Sequence, residues 1–354
     1  MQGDRGKDPP HLVLAHPGRL ETRTGGFIYD ARIARGLIGR GWRVDPLPLG
    51  HGFPLAPDAT LDEATRRLRT LPAGCRVLID GLAWGALGAR AATVARHVRP
   101  IALVHHPLAL ETGLTPDQAA RLHRSERRAL AAAPRIVTTS HATSALLIED
   151  YAVPAERITV APPGTDEKPA APGSRDGVLR LLAVGAVIPR KDFATLIEAL
   201  ARTEARRWHL TIAGALDRDP GTTAALRDTI ARHRLAGRIT LAGECDAAAL
   251  DRLYRGADLF LSTALFEGFG MAAADAVAHG LPVLAADAGA IGEAVPESAA
   301  RFFPPGDAAA LAALLDSLSR DTLADLRAGA RAARRTQRRW SDTVAVLAEA
   351  LARA

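Results

Sequence analysis

Aromatic residues are scarce in this sequence of 354 residues: Phe, Trp and Tyr together make up 4%. The formal net charge of +6 would suit a nucleic-acid partner, but the arginines are scattered through segments with helical spacing, such as "ATRRLRTL" and "RLHRSERRAL". Proteins that bind single-stranded nucleic acid interleave basic residues with aromatic side chains on which bases stack. We therefore expect no nucleic-acid partner and interpret the charge as solvated helix faces, with an anionic ligand or a peripheral contact with an anionic membrane left open.

Cysteines are almost absent too: only Cys75 and Cys245 occur, far apart and beside apolar runs. This spacing fits neither a disulfide framework nor a zinc site. No apolar run reaches the roughly 20 residues that cross a bilayer, and the polar start "MQGDRGKDPP" is unlike a secretory signal. We therefore expect a cytoplasmic protein whose membrane contact, if it has one, is peripheral and at the inner face.

Short apolar runs alternate with helical patterns along the chain. The run "HLVLA" precedes a helical pattern that ends in glycine, and "CRVLIDGLA", "PIALVHH" and "RIVTTS" repeat the arrangement. Continuous apolar strands, each followed by a helix, predict a parallel sheet covered on both faces. The pattern begins again after "EKPAAPGSRDGV", a segment rich in Pro, Gly and charge that predicts a linker.

We therefore predict an α/β fold of two doubly wound, Rossmann-like domains. The predicted divisions are a first domain over residues 1–166, a linker over 167–178, a second domain over 179–335 and a closing helix over 336–354. Ligands of such sheets bind at the carboxyl ends of the strands, so we expect the site in a central cleft between two facing sheets.

One predicted strand end carries residues suited to a diphosphate. The stretch "RLLAVGAVIPRKDFATL" places Gly185 in a turn, with Arg190 and Lys191 just before a helix. Glycine lets backbone approach a ligand closely, and paired cations complement phosphate charge. A surface turn with two solvated cations is the alternative interpretation.

A second strand end supplies a helix N-terminus and two acids. In "STALFEGFGMAAADA", Glu267 precedes a helix start whose N–H groups are available to bind phosphate or sugar hydroxyls. An acid is also stabilising at a helix start without any ligand. Asp275 follows eight positions later, and at 100° per residue we expect it near the same helical face as Glu267, suited to a ribose diol. The alternative for Asp275 is an exposed residue on a helix flank.

The stretch "EGFGMAAADAVAHGLPVLAADAGAIGEAV" resembles the donor-site signature of family 4 glycosyltransferases, which are retaining, nucleotide-sugar-dependent enzymes of the GT-B fold. Other segments resemble further motifs of the family in the family's order, including "TGGFIYDARIARGLIGRG", "IALVHHPLALETG" and "VGAVIPRKDFATLIEAL". The resemblance extends over nearly the whole chain. It implies an acceptor-side first domain, a donor-binding second domain, and a final helix, "WSDTVAVLAEALARA", that crosses back to the first domain.

The resemblance also implies roles for particular residues. Glu267 would bind the transferred sugar, and Lys191 would neutralise the leaving diphosphate. One of two adjacent histidines would lie near the sugar, and His105 is favoured over His106 because it is nearer the strand. The remaining positions would contribute backbone: Gly25 and Gly26 near the phosphates and the acceptor, and Phe269, Gly270 and Met271 as amide donors.

Two positions depart from the family's pattern. The second acid is usually Glu and is Asp275 here, one methylene shorter, which puts the ribose contact in doubt. The residue after the turn glycine is often Arg and is Ala186 here, so Arg190 would have to supply that charge from a neighbouring position.

The activity implied is retaining transfer from a nucleoside-diphosphate sugar to a hydroxyl of a glycan, lipid or small-molecule acceptor. No metal cofactor is expected, because no Asp-x-Asp motif stands at a predicted strand end. One alternative is a non-catalytic nucleotide-sugar-binding protein of the same fold. Another is a pyridoxal-phosphate-dependent phosphorylase, which the sequence contexts of Lys168 and Lys191 do not favour. The sugar, the base, the acceptor and the oligomeric state are left open.

Overall fold

The chain folds into two compact units. The computed structural model describes residues 9–19, 24–111, 113–174, 176–204 and 207–353. The first unit runs through Gly164 and also includes the segment from Trp340 onward, whereas the second unit is Thr165–Arg339. Among the described residues, none of the helices combines the length and the apolar character needed to span a bilayer.

The first unit is built on a six-stranded parallel sheet with the order β2-β1-β3-β4-β5-β6. Its strands are β1 (His11–His16), β2 (Arg43–Pro48), β3 (Arg76–Asp80), β4 (Arg99–Val104), β5 (Arg135–Thr138) and β6 (Ile158–Val160). Its helices are α1 (Gly25–Gly39), α2 (Asp58–Arg69), α3 (Gly81–Leu87), α4 (Arg90–Ala95), α5 (Pro116–Ala132) and α6 (His141–Glu149). Apolar side chains on both faces of the sheet are buried beneath these helices.

The second unit repeats this plan with the order β12-β11-β10-β7-β8-β9, again all parallel. Its strands are β7 (Leu179–Val184), β8 (Trp208–Ala213), β9 (Ile239–Gly243), β10 (Leu259–Ser262), β11 (Val283–Ala286) and β12 (Ala300–Phe303). Its helices are α7 (Phe193–Arg202), α8 (Pro220–Arg232), α9 (Ala247–Gly256), α10 (Met271–Ala278), α11 (Ile291–Ala294), α12 (Ala308–Ser317) and α13 (Arg320–Ala333). The prediction of two doubly wound α/β domains is confirmed.

Polar side chains define where most of the longer helices begin. Each accepts a hydrogen bond from a backbone N–H of the first turn, which would otherwise lack a partner. These capping residues are Thr24, Asp80, Thr115 and Ser140 in the first unit, and Asp192, Asp219, Asp246, Asp307 and Ser319 in the second. Helix α10 is an exception, since no side chain caps its first turn.

Each sheet has one point where the direction of strand order reverses. In the first unit the reversal lies between β1 and β3, and in the second between β7 and β10. Connections on the two sides of such a point run to opposite faces of the sheet and leave a crevice at the carboxyl ends of the strands, where ligands of this architecture bind. Ligand-binding residues are therefore expected in the loops after β1, β3, β7 and β10.

The last helix, α14 (Trp340–Ala352), belongs to the first unit, as the resemblance implied. It packs along α1, with Val344, Leu347 and Leu351 fully buried. Gly36 makes this close approach feasible: a Cβ at that position would lie 2.4 Å from Cγ2 of Val344. The hydroxyl of Thr343 adds a 2.6 Å hydrogen bond to the carbonyl of Pro162.

The observed division of the chain differs from the predicted one at its edges. Residues 167–178, predicted as a linker, lie within the second unit. Ala171 is buried there, and Asp258 accepts hydrogen bonds from the backbone of Ser174 and Arg180. A segment rich in Pro and Gly is predicted to lack regular secondary structure. Its composition does not show whether hydrogen bonds and packing hold the segment against a domain, as they do here.

The contact between α1 and α14 predicts a pair of opposite glycine effects. We expect Gly36→Ala to lower the free energy of unfolding by about 1–3 kcal/mol, because its methyl group overlaps Val344. Gly39→Ala is the matched control, since nothing lies within 4 Å of a Cβ there. It should raise stability by about 0.5–1 kcal/mol through helix propensity. Urea unfolding measures both, and the double change Gly36→Ala with Val344→Ala should recover part of the loss; equal effects of the two single changes would contradict the contact.

Candidate active site

The turn after β7 carries two cations on a closely packed backbone. A 3-10 turn, Pro189–Lys191, leads into α7 through Asp192, which has a left-handed backbone with φ of 44°. The aliphatic stem of Lys191 lies over Gly185, where a Cβ would come within 2.8 Å of its Cε. Any side chain at that position would displace the lysine. Close packing against Lys191 therefore explains why the turn requires glycine at position 185.

The acid Glu267 lies in the loop after β10, directly opposite those cations. Its Oε1 accepts a hydrogen bond from Nζ of Lys191, and its Oε2 lies 3.8 Å from Nη1 of Arg190. Arg190 also donates to the carbonyl of Phe266 at 2.9 Å. All three charged side chains are largely buried, with 12–16% of their surfaces exposed. Two cations against one carboxylate give the group an excess charge of +1, which suits an anionic ligand.

Backbone contacts fix the position of Glu267. Its carbonyl accepts a 2.8 Å hydrogen bond from the N–H of Ala290, and it forms an isolated parallel bridge with Gly289. A Cβ at Gly289 would lie 2.3 Å from that same carbonyl oxygen, and the glycine has φ of +66°. Only glycine allows both the left-handed backbone and this approach, so Gly289 belongs to the site although the sequence did not single it out.

Helix α10 presents its N-terminus next to Glu267. Gly270 precedes the helix with φ of 97°, and a Cβ there would meet Ile291 at 2.5 Å. In the described part of the chain, the N–H groups of Phe269, Gly270 and Met271 donate no hydrogen bond. Unpaired amides at the positive end of a helix dipole can hold a phosphate or a sugar oxygen.

Asp275 does not share a helical face with Glu267, contrary to the expectation from spacing. Helix α10 begins only at Met271, so Glu267 lies four residues before it, on bridged backbone where the rotation of 100° per residue does not apply. Asp275 is half-buried in the second turn, and its charge raises the pKa of the buried Tyr254 beyond the effect of burial itself. The hydroxyl of Tyr254 donates a hydrogen bond to the carbonyl of Ala272 in the first turn of α10.

In the first unit, Gly25 and Gly26 open α1 beside His105. A Cβ at Gly26 would lie 3.2 Å from Cδ2 of the His105 ring. The glycine therefore allows the first turn of α1 to pack closely against the imidazole. The ring of Tyr29 meets the same imidazole edge to face at 5.4 Å. The neighbouring His106 has a different environment, since its Nε2 pairs with Oε1 of Glu111 in the loop after β4.

Two buried acids that the sequence did not reveal surround His105. Nε2 of the ring lies 3.2 Å from Oδ1 of Asp30 in α1 and 3.6 Å from Oδ2 of Asp80 at the end of β3. Burial and the charge of Asp30 raise the pKa of Asp80 to about 7. For His105, burial acts to lower the pKa, but the two carboxylates outweigh it and the net shift is upward.

A third buried acid, Glu126 of α5, supports the loop that carries the histidines. Its Oε2 accepts a 2.8 Å hydrogen bond from the N–H of Leu108, and burial raises its pKa to about 8. In "RLHRSERRAL" it stands among arginines, so the pattern suggests a solvated acid. Only the apolar residues four positions either side, Leu122 and Leu130, indicate that Glu126 lies on the buried face.

Within the described residues, Asp30, Asp80 and His105 form the one group of ligand-type side chains compact enough to enclose a cation. In this group Nε2 of His105 lies 3.2 Å from Oδ1 of Asp30 and 3.6 Å from Oδ2 of Asp80. The acid Glu267 is held by Lys191 and Arg190. Among the residues that the structure describes, these ligand-type side chains therefore all have polar partners.

Comparison with known proteins identifies two family models along the chain. "Glycosyltransferase Family 4" matches residues 46–168, and "Glycosyl transferases group 1" matches residues 164–336. The D-inositol 3-phosphate glycosyltransferase of Thermobispora bispora is 30% identical over 265 residues, covering 68% of this chain and 61% of that protein. The MMP alpha-(1->4)-mannosyltransferase of Mycolicibacterium hassiacum is 29% identical over 277 residues, covering 72% and 66%. This chain spans about 35–66% of the length of the curated relatives it matches.

Solved structures show the same fold at low identity. Sucrose-phosphate synthase of Thermosynechococcus elongatus superimposes with a TM-score of 0.81 at 20% identity, covering 97% of this chain and 98% of that one. The Anabaena protein HepE, solved in complex with UDP and glucose, gives 0.75 at 18% identity, with coverages of 97% and 100%. The fold is therefore that of the GT-B glycosyltransferases.

The buried position of Glu126 predicts how stability changes with pH. The folded protein keeps this carboxyl neutral up to about pH 8, whereas an unfolded chain ionises it near pH 4–5. The folded state binds the extra proton in that window, so stability falls as pH rises, by at most about 1.4 kcal/mol per pH unit. We expect Glu126→Gln to flatten the decline of melting temperature between pH 5.5 and 8.5. Glu63→Gln, an exposed acid beside Arg66, is the control; parallel curves for wild type and Glu126→Gln would contradict the assignment.

Proposed function

We propose that this chain, which belongs to the family 4 glycosyltransferases, moves a sugar from a nucleoside-diphosphate sugar to an acceptor hydroxyl, with retention of anomeric configuration and without a metal ion. The observation that carries the proposal is the convergence of Arg190, Lys191 and Glu267 at the strand-order reversal of the second unit, beside the uncapped start of α10. Three charged groups are rarely buried together without a function that uses them.

The diphosphate is the part of the donor that this site fits best. Its charge would be met by Arg190, Lys191 and the amide groups at Phe269 to Met271. A metal ion performs the same neutralisation in other transferases, so the cations and the helix dipole support a mechanism that does without one. In this proposal Asp275, half-buried in the second turn of α10, binds the ribose diol.

Glu267 has two tasks in this proposal. Without a ligand it pairs with Lys191 and keeps that cation inside the site. With the donor bound, the phosphate oxygens take over the lysine, and the released carboxylate accepts hydrogen bonds from hydroxyls of the transferred sugar. Lys191 then pairs with phosphate and Glu267 accepts hydrogen bonds from hydroxyls, so neither charged group is left buried without a polar partner.

The chemical step breaks the bond between the anomeric carbon and the diphosphate oxygen, and the diphosphate leaves with the electron pair. The acceptor oxygen forms its bond to the anomeric carbon on the same face. Its proton passes to the departing phosphate oxygen, so the reaction needs no protein nucleophile. Contacts from Lys191 and Arg190 strengthen as charge grows on the leaving group, and this preference for the transition state is what lowers the barrier.

The acceptor is proposed only as a hydroxyl of a glycan, lipid or small molecule. Two of the relatives are named for phosphorylated small molecules, D-inositol 3-phosphate and sucrose phosphate, which makes a phosphorylated polyol a first acceptor to try. We propose a cytoplasmic enzyme, and its net charge of +6 suits a peripheral contact with an anionic membrane.

The decisive experiment measures donor binding and transfer separately. A thermal-shift panel of nucleoside diphosphates and their sugars identifies the donor, since a ligand at 100 times its dissociation constant stabilises the folded state by about 2.7 kcal/mol. Transfer with that donor should survive EDTA, and the anomeric configuration of the product is read by NMR. Binding without turnover would favour a non-catalytic nucleotide-sugar-binding protein, and a rate restored only by Mg²⁺ or Mn²⁺ would contradict metal independence.

Lys191→Ala tests the contact with the leaving group. We expect kcat to fall by about 10²–10³, since one contact made mainly in the transition state is worth about 2.7–4 kcal/mol. Lys168→Ala is the matched control: that lysine lies in the same unit and pairs with Asp251 at 3.5 Å, away from the proposed donor site. Near-normal turnover by a folded Lys191→Ala protein would contradict the role of Lys191 at the leaving group.

Substitutions of Asp275 and Glu267 should affect different kinetic constants. Asp275→Asn should raise the donor KM and spare kcat, because a ribose contact is equally strong in ground and transition states. Asp275→Glu, the family's usual acid, should be tolerated. Glu267→Gln should cut kcat even at saturating donor, since it loses both the sugar contact and the tether of Lys191. Steady-state kinetics on all three variants measure these effects. A loss of kcat in Asp275→Asn with unchanged donor KM would contradict the assignment of Asp275 to the ribose and Glu267 to the sugar.

A further inference from the structure

The group around His105 contains more buried charge than a passive sugar contact requires. Asp30 lies in the middle of α1 with no exposed surface, and Asp80 ends β3 with 1% exposed. Both face the same nitrogen, Nε2, at 3.2 and 3.6 Å. Oδ1 of Asp80 is already used, because it accepts a 2.7 Å hydrogen bond from the N–H of Leu82 as the cap of α3. Oδ2 of Asp30 is buried without a hydrogen-bond partner among the described residues.

These acceptors determine which ring nitrogen carries the proton. A carboxylate oxygen only accepts, so the contact with Oδ1 of Asp30 requires Nε2 to donate, and a neutral ring then has its lone pair on Nδ1. Nδ1 makes no hydrogen bond within the described part of the chain, and 17% of the side chain remains exposed. The ring is thus bound through one nitrogen and leaves the other available.

The surroundings also prevent the ring from turning. Gly26 lies against Cδ2 and Nε2, and Tyr29 covers the ring from the same helix. The hydroxyls of Thr139 and Thr143 donate to the carbonyl of His105 at 3.2 and 3.4 Å and fix the backbone. A ring flip that exchanged the two nitrogens would break the contacts with both acids and leave two buried carboxylates without a donor, which is costly.

We propose that Asp30 and Asp80 are positioning residues for the transfer reaction: they hold a proton on Nε2 of His105 and so present Nδ1 to a substrate oxygen at the carboxyl ends of the strands of the first unit. This deepens the proposed function and rests on it. The acids never touch the substrate. They set the orientation and the protonation of His105, which does.

The charges facing the ring define how the site responds to pH. Asp30 faces it from α1 and Asp80 from the end of β3, Tyr29 contributes a neutral ring, and the adjacent His106 is occupied by Glu111. Two desolvated carboxylates beside each other do not both ionise readily unless a positive group lies between them. The His105 ring is that group, so its protonated form is stabilised, in line with its raised pKa.

The test follows the imidazole directly by ¹⁵N NMR on protein labelled at histidine, with His105→Gln identifying the signals. In wild type we expect Nε2 to carry a proton from pH 5.5 to 8.5 and the ring to titrate above the usual value of about 6.5. Asp30→Asn should lower that midpoint by at least about one pH unit and reduce kcat/KM about 10–100-fold, with a shifted pH profile. Asp80→Asn keeps an amide oxygen for Leu82 and provides a second variant if Asp30→Asn folds poorly.

The matched control is Asp258→Asn, a buried acid of the second unit that binds the backbone of Ser174 and Arg180. It should lower stability and leave both the His105 signals and the pH profile unchanged. An unchanged midpoint in Asp30→Asn would overturn the proposal, and so would tight binding of Zn²⁺ or Mn²⁺ alone that moves the His105 signals. The NMR readout needs no turnover, so a protein with this imidazole signature and no transferase activity would refute the proposed function instead.

Discussion

The pairing of β7 with β10 is the constraint on which the proposed donor site depends. The two strands are 74 residues or more apart in sequence, yet Leu181 pairs with Leu259 and Leu182 with Phe260 in the sheet. Because both strands end at the same edge, the loops beyond them meet. The N–H of Leu265 donates to the carbonyl of Arg190, and the hydroxyl of Thr263 donates to the carbonyl of Lys191. These two hydrogen bonds fix the turn before any charged group is considered, and the ion pair with Glu267 follows from that geometry.

Much of this arrangement could be predicted from the sequence, for a physical reason. Parallel strands covered on both faces are continuous apolar runs, so their ends are visible, and the polar residues just beyond those ends are few. Gly185, Lys191 and Glu267 were found in that way, and the structure brings them together. The pattern could not fix where α10 begins, because Gly268 to Gly270 leave the helix start ambiguous; the expectation that Glu267 and Asp275 share a face was wrong for this reason.

The acids of the first unit show where sequence reasoning stops. Asp30 and Glu126 each occupy a helix whose arginines are exposed or half-buried, and a single acid in such a pattern suggests one more solvated side chain. What buries them is the position of α1 and α5 against other elements, which no local window contains. The pair His105 and His106 was ambiguous for a related reason: Glu111, the partner of His106, is five residues away, but Asp30, the partner of His105, is 75 residues away on α1.

The helix α14 has a consequence for the order in which the chain acquires its structure during synthesis. Val344, Leu347 and Leu351 share one apolar cluster with Leu12, Leu14, Ile33 and Leu37, residues that a ribosome adds more than 300 positions earlier. All the strands of the second unit, by contrast, lie within one continuous stretch and can assemble as soon as that stretch emerges. Domains usually fold as units in the order of their synthesis. Here the apolar cluster that α1 forms with the first sheet lacks its α14 side chains until translation has passed Leu351, whereas every strand of the second unit has been synthesised before then.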